Sequence, residues 1–318
     1  MRYEKKFLII ANRCRGMGAN RLVESICAEV GQNVSYTILK PQDGIFLNFL
    51  KYIMFYVISD SNERIVWCLN DIPFYPLKID YYLFHNTLLI NKRVSGLPAV
   101  KRYLLYIFLK MKRMTVVCQT SLTARKFKGS FCLLDSNVEV CMHPLPIQSK
   151  LVGSDNTFKN VMSEEGNYVL YPAANYSHKN ISFLLQNLQV FREAKMCLVL
   201  CIDPIKEFKN DDGVIFLGAV SARAMANLYH SVDAIINVSD TESVGLSLVE
   251  AVIFKKPLVS INEEYVRSIV NSFYEIDKLS SSGLQKALRR LNDDRFTMVP
   301  TTTLQLSASW EEFLNAYV

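Results

Sequence analysis

The sequence lacks several features that mark common protein classes. It has eight cysteines in 318 residues but no C-x-x-C pair and no regular spacing, which argues against a disulfide scaffold or a zinc site. Its longest apolar stretch, residues 45–58, is interrupted by Asn48 and Lys51 and is too short to span a membrane. The run FLIIA near the N-terminus is too short for the core of a signal peptide. We therefore expect a cytosolic chain, either soluble or bound peripherally to a membrane.

Acidic residues are absent from a long part of the first half. Residues 81–134 contain ten Lys and Arg but no Asp or Glu. Residues 1–150 carry 21 basic and 10 acidic residues, and residues 151–318 carry 15 and 20, so net charges of +11 and −5 make up the formal +6. Opposite charges on the two halves indicate two domains with different partners.

Alternating apolar patterns run through the first half. Strand-like runs at residues 7–11, 65–69 and 115–119 alternate with segments of helical spacing, such as residues 20–30. Strands that alternate with helices predict a parallel sheet covered on both faces. Half of the residues are apolar and 21% are charged, which is enough for a packed core in each of two medium-sized domains.

A stretch with two prolines and many polar residues, 144–166, separates two alternating sets and is the predicted linker. The fold class is therefore α/β, with Rossmann-like doubly wound domains at residues 1–150 and 151–303. Such sheets bind ligands at the carboxyl ends of their strands, so we expect the site in an interdomain cleft.

The last residues form a separate element. Ser309 and Glu312 stand three positions apart ahead of an apolar pair, which is the spacing of a capping box. We predict a short helix in residues 304–318 that packs back towards the N-terminal domain.

Two glutamates frame a glycine in TESVGLSLVEA, residues 241–251. The pattern predicts a loop that holds Glu242 and a following helix that carries Glu250. The backbone N–H groups of residues 243–245 would point outward at the positive end of that helix and suit a phosphate. A carboxylate on each side can accept hydrogen bonds from sugar hydroxyls. Spacing alone leaves open that one glutamate is solvated and the other only balances the helix dipole.

TESVGLSLVEA followed by KKPLVS resembles the E-x7-E motif of retaining glycosyltransferases of the GT-B fold. YPAANYSHKN, residues 171–180, is similar to the start of the second domain in polysaccharide-cluster members of that family. The resemblance covers residues 168–262 and the terminal SWEEF, and the first half matches in outline. It implies two Rossmann-like domains and retaining transfer of a hexose from a nucleotide sugar. The sequence has no D-x-D, so no metal or other cofactor is expected.

The resemblance also implies roles for individual residues. Glu242 would contact the donor hexose and Glu250 the ribose of its nucleotide, while Lys179 would neutralise the departing diphosphate. His85 would lie near the sugar and the acceptor. The other implied donor-binding residues are Ser243, Val244 and Gly245 for the diphosphate, Gly218, Ala219 and Val220 for the nucleobase, and Gly16 and Gly18 for the phosphates from the first domain. Without the resemblance, His85 and the early glycines have ordinary structural explanations.

Four positions depart from the family pattern. Ala173 and Ala174 stand where many members have glycine and arginine, and Ser243 and Ser247 replace a common glycine and proline. A catalytically weakened binding subunit therefore stays open as an alternative, as does a nucleotide-sugar hydrolase or epimerase of the same fold.

Residues 98–114, PAVKRYLLYIFLKMKRM, combine an apolar body with basic ends. On a helix this pattern suits an interfacial element attracted to anionic lipid; the alternative is a core helix with solvated ends. No nucleic-acid recognition motif accompanies the charge. The family implies a lipid-linked glycan acceptor, so we expect a peripheral protein on the inner face of the membrane that serves O-antigen or capsule biosynthesis. The expected membrane and acceptor face carries Lys101, Arg102, Lys110, Lys112 and Arg113.

Overall fold

The computed structural model describes residues 5–13, 17–31, 33, 35–73, 78–90, 96–111, 113–132, 138–144, 162, 166–208 and 213–316. The chain divides into two units. The first domain comprises Met1–Pro146 together with Gln305–Val318, and the second domain comprises Ile147–Leu304. Within the described ranges, no helix combines the length and the apolar character needed to cross a bilayer.

The first domain is built on a parallel sheet. Its strands are β1 (Lys6–Ile10), β2 (Tyr36–Leu39), β3 (Arg64–Cys68), β4 (Tyr81–Phe84), β5 (Thr115–Cys118) and β6 (Val138–Val140). In the described part of this domain they lie in the order β2-β1-β3-β4-β5-β6, with every pairing parallel. The direction of winding changes between β1 and β3, which is the switch point of this sheet.

Helices cover both faces of this sheet. They are α1 (Met17–Val30), α2 (Gly44–Ile58), α3 (Leu97–Met111) and α4 (Ser121–Phe131). Side chains of β1 point alternately to two apolar clusters, as the period of a strand requires. Leu8 and Ile10 pack with side chains from α2, α3 and α4, whereas Phe7 and Ile9 pack with side chains from α1.

The second domain repeats the plan with a different strand order. Its strands are β7 (Asn167–Tyr171), β8 (Met196–Leu200), β9 (Val214–Phe216), β10 (Ala234–Asn237), β11 (Leu258–Ile261) and β12 (Tyr274–Ile276). Among the described residues they form a parallel sheet in the order β12-β11-β10-β7-β8-β9. Its helices are α5 (Ile181–Gln186), α6 (Leu188–Glu193), α7 (Ala222–Ser231), α8 (Leu246–Ile253), α9 (Glu264–Arg267) and α10 (Ser281–Asp293). The switch point of this sheet lies between β7 and β10.

The prediction of two α/β doubly wound domains is confirmed. Residues 181–193 form two short helices, α5 and α6, because the backbone at Asn187 leaves helical geometry (φ −114°, ψ 23°). Helices α4 and α10 were not predicted from the sequence. Residues 45–58 of α2 were noted only as an interrupted apolar stretch. The edge strands β6 and β12, at three residues each, were too short to stand out.

A last helix, α11 (Trp310–Asn315), packs on the first domain. Ser309 Oγ accepts a hydrogen bond from the Glu312 N–H at 2.9 Å, and the Glu312 carboxylate accepts one from the Ala308 N–H at 2.6 Å. The Ser309 cap is therefore present, but the Glu312 carboxylate bonds the Ala308 N–H and not the Ser309 N–H that a capping box would use. Trp310 Nε1 donates to Ser25 Oγ in α1 at 2.9 Å, which ties the helix to that face of the sheet.

His143 lies beneath α11 and is buried. Its ring stacks on Trp310, with the ring centroids 5.2 Å apart. Gln119 Nε2 donates to His143 Nε2 at 2.7 Å, and His143 Nδ1 donates to the Pro144 carbonyl oxygen at 2.6 Å. Both ring nitrogens are thus used by the neutral imidazole, and burial lowers its pKa to about 4.

We expect the first domain to lose stability as the pH falls from about 6.5 towards 4. The unfolded His143 binds a proton at a higher pH than the folded one does, so its contribution is complete above pH 6.5 and is lost progressively below it. Between pH 7 and pH 4.5 the loss should be about 2–3 kcal/mol. Urea unfolding followed by tryptophan fluorescence measures it, because Trp67 and Trp310 both lie in this domain.

His143→Gln is the control for other titrating groups. The difference in unfolding free energy between wild type and variant should shrink at pH 4.5 relative to pH 7. Parallel pH profiles for the two proteins would contradict the assignment.

Candidate functional site

Two loops of the second domain leave the sheet at its switch point. β7 and β10 pair in parallel, with Ala234 opposite Val169 and Ile235 opposite Leu170. The loop after β7 and the loop after β10 therefore start side by side at the carboxyl edge, where doubly wound sheets bind ligands. The first loop leads to Lys179, and the second carries Glu242.

Hydrogen bonds join these two loops into one unit. The Asn180 side-chain amide donates to the Val238 carbonyl oxygen at 2.9 Å and to Asp240 Oδ1 at 2.6 Å. The Asp240 N–H donates to the His178 carbonyl oxygen at 2.9 Å. These hydrogen bonds fix the positions of the two loops relative to one another.

Two buried tyrosines support the same loops from below. Tyr171 Oη donates to the Lys179 carbonyl oxygen at 2.9 Å and lies 2.8 Å from Ser239 Oγ. Tyr265 Oη donates to the Ser239 carbonyl oxygen and accepts from Asn237 Nδ2, each at 2.7 Å. Burial raises the pKa of both phenols, so both act as neutral hydrogen-bonding groups. The sequence reasoning identified neither tyrosine as part of the site.

The structure brings two predicted catalytic residues together. Lys179 Nζ donates to Glu242 Oε1 in an ion pair. The two side chains are 18% and 16% exposed, so the pair is largely enclosed yet reachable by a ligand. Enclosed charges are screened less by salt than those on an open surface. The pair therefore presents a cation and a carboxylate in fixed positions.

Gly245 is the last residue of this loop and the N-cap of α8. Its φ of +62° lies in the left-handed region, and a Cβ added there would approach Leu248 Cδ1 to 3.0 Å. A side chain at this position would be strained, so glycine is required. Ser243 and Val244 precede it, at the positive end of the α8 dipole, where an anion is favoured.

Glu250 occupies a different environment from Glu242. Its side chain is fully buried, and it accepts a hydrogen bond from Tyr229 Oη. The Tyr229 ring stacks on Phe254, with centroids 4.8 Å apart. In this arrangement the carboxylate belongs to the interior of the domain, and reaching a ribose requires its surroundings to rearrange. Its role as a ribose ligand stays a prediction.

The predicted nucleobase residues follow β9 at the same carboxyl edge of the sheet. Gly218 has a φ of +66°, and its N–H donates to the Ile202 carbonyl oxygen at 3.0 Å. Ala219 is exposed and Val220 is half-buried. This turn leads directly into α7, where the Ser221 hydroxyl accepts a hydrogen bond from the Ala224 N–H.

A polar cluster in the first domain surrounds His85. Asp71, which follows β3, accepts hydrogen bonds from Lys101 Nζ at 2.6 Å and from Asn86 Nδ2 at 3.0 Å, and its Oδ1 lies 3.8 Å from His85 Nε2. Burial alone would raise the pKa of Asp71, but the hydrogen bonds from Lys101 and Asn86 hold it below its ordinary value. Burial lowers the pKa of His85 despite the nearby carboxylate.

Asp71 was not predicted. The available signal was an acidic residue just after the apolar run that ends at Leu69, which places a carboxylate at the carboxyl edge of the sheet.

Of the two predicted early glycines, Gly16 and Gly18, the structure describes only Gly18. Gly16 lies outside the described residues. Gly18 lies in the first turn of α1 and not in the loop before it, because α1 begins at Met17 and not at the predicted Asn20. No Ser, Thr, Asp or Asn stands among the three residues before Met17, so no strong N-cap residue marks the start of the helix.

The basic residues of the predicted membrane face differ in their surroundings. Lys101 Nζ donates to the Asp71 carboxylate, and Arg102 donates to a backbone carbonyl oxygen of α4 at 3.2 Å. Lys110 and Arg113 are exposed. Lys112 lies outside the described residues.

Comparisons with known proteins agree with this architecture. Residues 154–295 match the family model described as Glycosyl transferases group 1, a match that covers most of the second domain. No curated protein matches the amino-acid sequence.

Several solved structures share the fold of both domains. WaaG, a glycosyltransferase involved in lipopolysaccharide biosynthesis, has a TM-score of 0.66 at 12% identity, with 92% of each chain covered. Sucrose-phosphate synthase from Thermosynechococcus elongatus has a TM-score of 0.66 at 12% identity, covering 92% of this chain and 90% of that one. Alr3699/HepE from Anabaena, in complex with UDP and glucose, has a TM-score of 0.66 at 13% identity, covering 92% and 91%. The fold is therefore GT-B.

We expect Tyr229→Phe to destabilise the second domain by about 1–3 kcal/mol, because the buried Glu250 carboxylate loses a donor. Urea unfolding followed by far-ultraviolet circular dichroism measures the effect. Tyr176→Phe is the matched control, since Tyr176 is 49% exposed. A Tyr229→Phe variant as stable as the control would show that the interior hydrogen bond contributes nothing to the fold.

Proposed function

We propose that this chain, whose second domain belongs to glycosyl transferases group 1, transfers a hexose from a nucleotide sugar to a lipid-linked glycan. The transfer would retain anomeric configuration and use no metal, in the assembly of a surface polysaccharide such as O-antigen or capsule. The observation that carries the proposal is the Lys179–Glu242 ion pair at the switch point of the second sheet. The UDP and glucose bound to Alr3699/HepE and the lipopolysaccharide role of WaaG support the donor class and the pathway class.

Lys179 is the group we assign to the leaving diphosphate. When the bond between the anomeric carbon and the phosphate oxygen breaks, its electron pair leaves on the diphosphate, so negative charge develops there. A positioned ammonium group stabilises that charge without reorganising at the moment of reaction. The N–H groups of residues 243–245 and the α8 dipole would add to the same effect.

Glu242 has two tasks in this proposal. Its carboxylate holds Lys179 in position before the donor arrives. Once the diphosphate provides Lys179 with a second anionic partner, the carboxylate oxygens can accept hydrogen bonds from the hexose hydroxyls. Glu250 would bind the ribose and residues 218–220 the nucleobase, with Gly16 and Gly18 approaching the phosphates.

His85 would contact the sugar and the acceptor from the first domain. Because burial lowers its pKa, the imidazole is neutral at pH 7 and offers a hydrogen bond without a charge. The Leu83 carbonyl oxygen, 3.3 Å from His85 Nδ1, would hold the ring in one orientation. The acceptor face would include Lys101, Arg102, Lys110, Lys112 and Arg113, facing anionic lipid on the cytoplasmic side of the membrane and binding no nucleic acid.

A binding subunit that retains the pocket without turnover is the second candidate. The observation in its favour is that Ala173 and Ala174 stand where many family members have a glycine followed by a phosphate-binding arginine, and that Ser243 replaces a common glycine. A hydrolase or epimerase of the same fold would turn over donor without an acceptor.

We expect Glu242→Ala to lower transfer by about 100-fold or more, since it removes both the sugar contact and the group that positions Lys179. The donor is first chosen by a thermal-shift screen with UDP-, GDP-, dTDP- and CMP-sugars, because a bound ligand stabilises the folded state. Transfer is then assayed with and without a lipid-linked acceptor.

Glu207→Ala, at an exposed glutamate of the same domain, should leave transfer unchanged. Undiminished transfer by Glu242→Ala would disprove the role of that carboxylate. Donor binding without turnover would identify the binding subunit, and acceptor-independent turnover would identify the hydrolase or epimerase.

A further inference from the structure

Helix α2 turns its apolar side chains away from the protein. Its sequence is GIFLNFLKYIMFYVI, and only Asn48 and Phe55 are buried. Ile45 is 93% exposed, Val57 79% and Phe46 74%. The other large apolar side chains of α2 that are at least 40% exposed are Leu47, Phe49, Leu50, Ile53, Met54 and Ile58.

The polar groups of α2 are held on its inner side. Asn48 Nδ2 donates to the carbonyl oxygens of Lys40 and Gly44, each at 2.8 Å. Lys51, the one charged residue of the helix, pairs with Asp43 at 2.6 Å. A surface helix of a soluble protein has the opposite arrangement, with polar residues outward and apolar residues inward. The outward face of α2 therefore requires an apolar environment.

The end of α2 is fastened to the domain by two basic residues. Arg64 Nη2 donates to the Tyr56 carbonyl oxygen at 2.8 Å, and its guanidinium group lies 4.5 Å from the centre of the Tyr56 ring. Lys6 Nζ donates to the Ile58 carbonyl oxygen at 3.5 Å. The helix is thus an integral element of the domain, held at its C-terminal end, and its outward face is a stable feature.

Charge on the neighbouring helix indicates what covers this face. Phe55 of α2 and Leu105 of α3 belong to one apolar cluster, so the two helices lie on the same side of the sheet. α3 lies within the acid-free residues 81–134 and exposes Lys110 together with Tyr103, which is 64% exposed. Apolar side chains, tyrosines and cations on one side of a domain match the acyl chains, interface and anionic head groups of a lipid surface.

We propose that α2 is the membrane-inserting element of this protein. It lies in the plane of an anionic bilayer surface, with Ile45, Phe46 and Val57 in the acyl boundary and the exposed Lys110 of α3 at the head groups. The inference rests on the proposed membrane association. It assigns the apolar insertion to α2 instead of α3, and α3 supplies only the positive charge. The alternative occupant is a second copy of the chain.

The variant Phe46→Trp tests this directly. Trp67 and Trp310 are 0% and 1% exposed, so the introduced indole is the one that responds to a change at α2. With vesicles of phosphatidylcholine and phosphatidylglycerol, we expect its emission to shift to the blue and to be quenched by brominated acyl chains. Vesicles of phosphatidylcholine alone should bind more weakly, because the cations of α3 then have no anionic partner.

Serine substitutions separate insertion from other effects. Ile45→Ser combined with Val57→Ser should weaken vesicle binding about tenfold or more. Val140→Ser combined with Leu279→Ser, at apolar residues 50% and 40% exposed elsewhere, should leave it unchanged. All four positions are exposed, so loss of folding does not confound the comparison.

Three results would overturn the proposal. They are an emission spectrum that vesicles do not change, equal binding by the two serine pairs, and a blue shift without vesicles that grows with protein concentration and accompanies a dimer in sedimentation. The test is independent of catalysis. Glu242→Ala should bind vesicles normally, and Ile45→Ser with Val57→Ser should still bind the nucleotide sugar.

Discussion

The hydrogen bonds between the loop after β7 and the loop after β10 determine the geometry of the candidate site. Asn180 and Asp240 join the loops at their edges, and Tyr171 and Tyr265 hold them from below. These contacts follow from the parallel pairing of the two strands at the switch point. Because the loops are fixed to one another, Lys179 lies in contact with its glutamate partner. The positions of the charged groups are therefore a property of the fold.

The sequence was sufficient to name Lys179 and Glu242 as candidate site residues, but it did not predict the contacts that hold them in place. Lys179 and Glu242 could be recognised because each follows an apolar strand within a local pattern. Tyr265 and Tyr229 could not, because each contacts a residue far away in the sequence. Glu250 shows the same limit: its spacing from Glu242 suggested an equivalent role, yet its burial depends on how α7 and α8 pack.

In the first domain, too, the sequence predicted some features and not others. The alternation of strands and helices predicted the sheet, and the acid-free segment predicted a basic side. The apolar run of α2 was visible, but a sequence with large apolar residues on every side of a helix does not say which side faces the core. Only the packing of Phe55 and the hydrogen bonds of Asn48 show that the aliphatic side chains point outward. The membrane-facing role of α2 follows from this orientation.

In the proposed function, Lys179 and Glu242 act as one unit in binding the donor. A double-mutant cycle with Lys179→Met and Glu242→Gln, measured as nucleotide-sugar affinity by calorimetry, tests it most directly. We expect a coupling energy of about 0.5–3 kcal/mol, because each substitution removes the partner that positions the other side chain. Effects that add to within about 0.5 kcal/mol would contradict it, since they would show two residues that act independently.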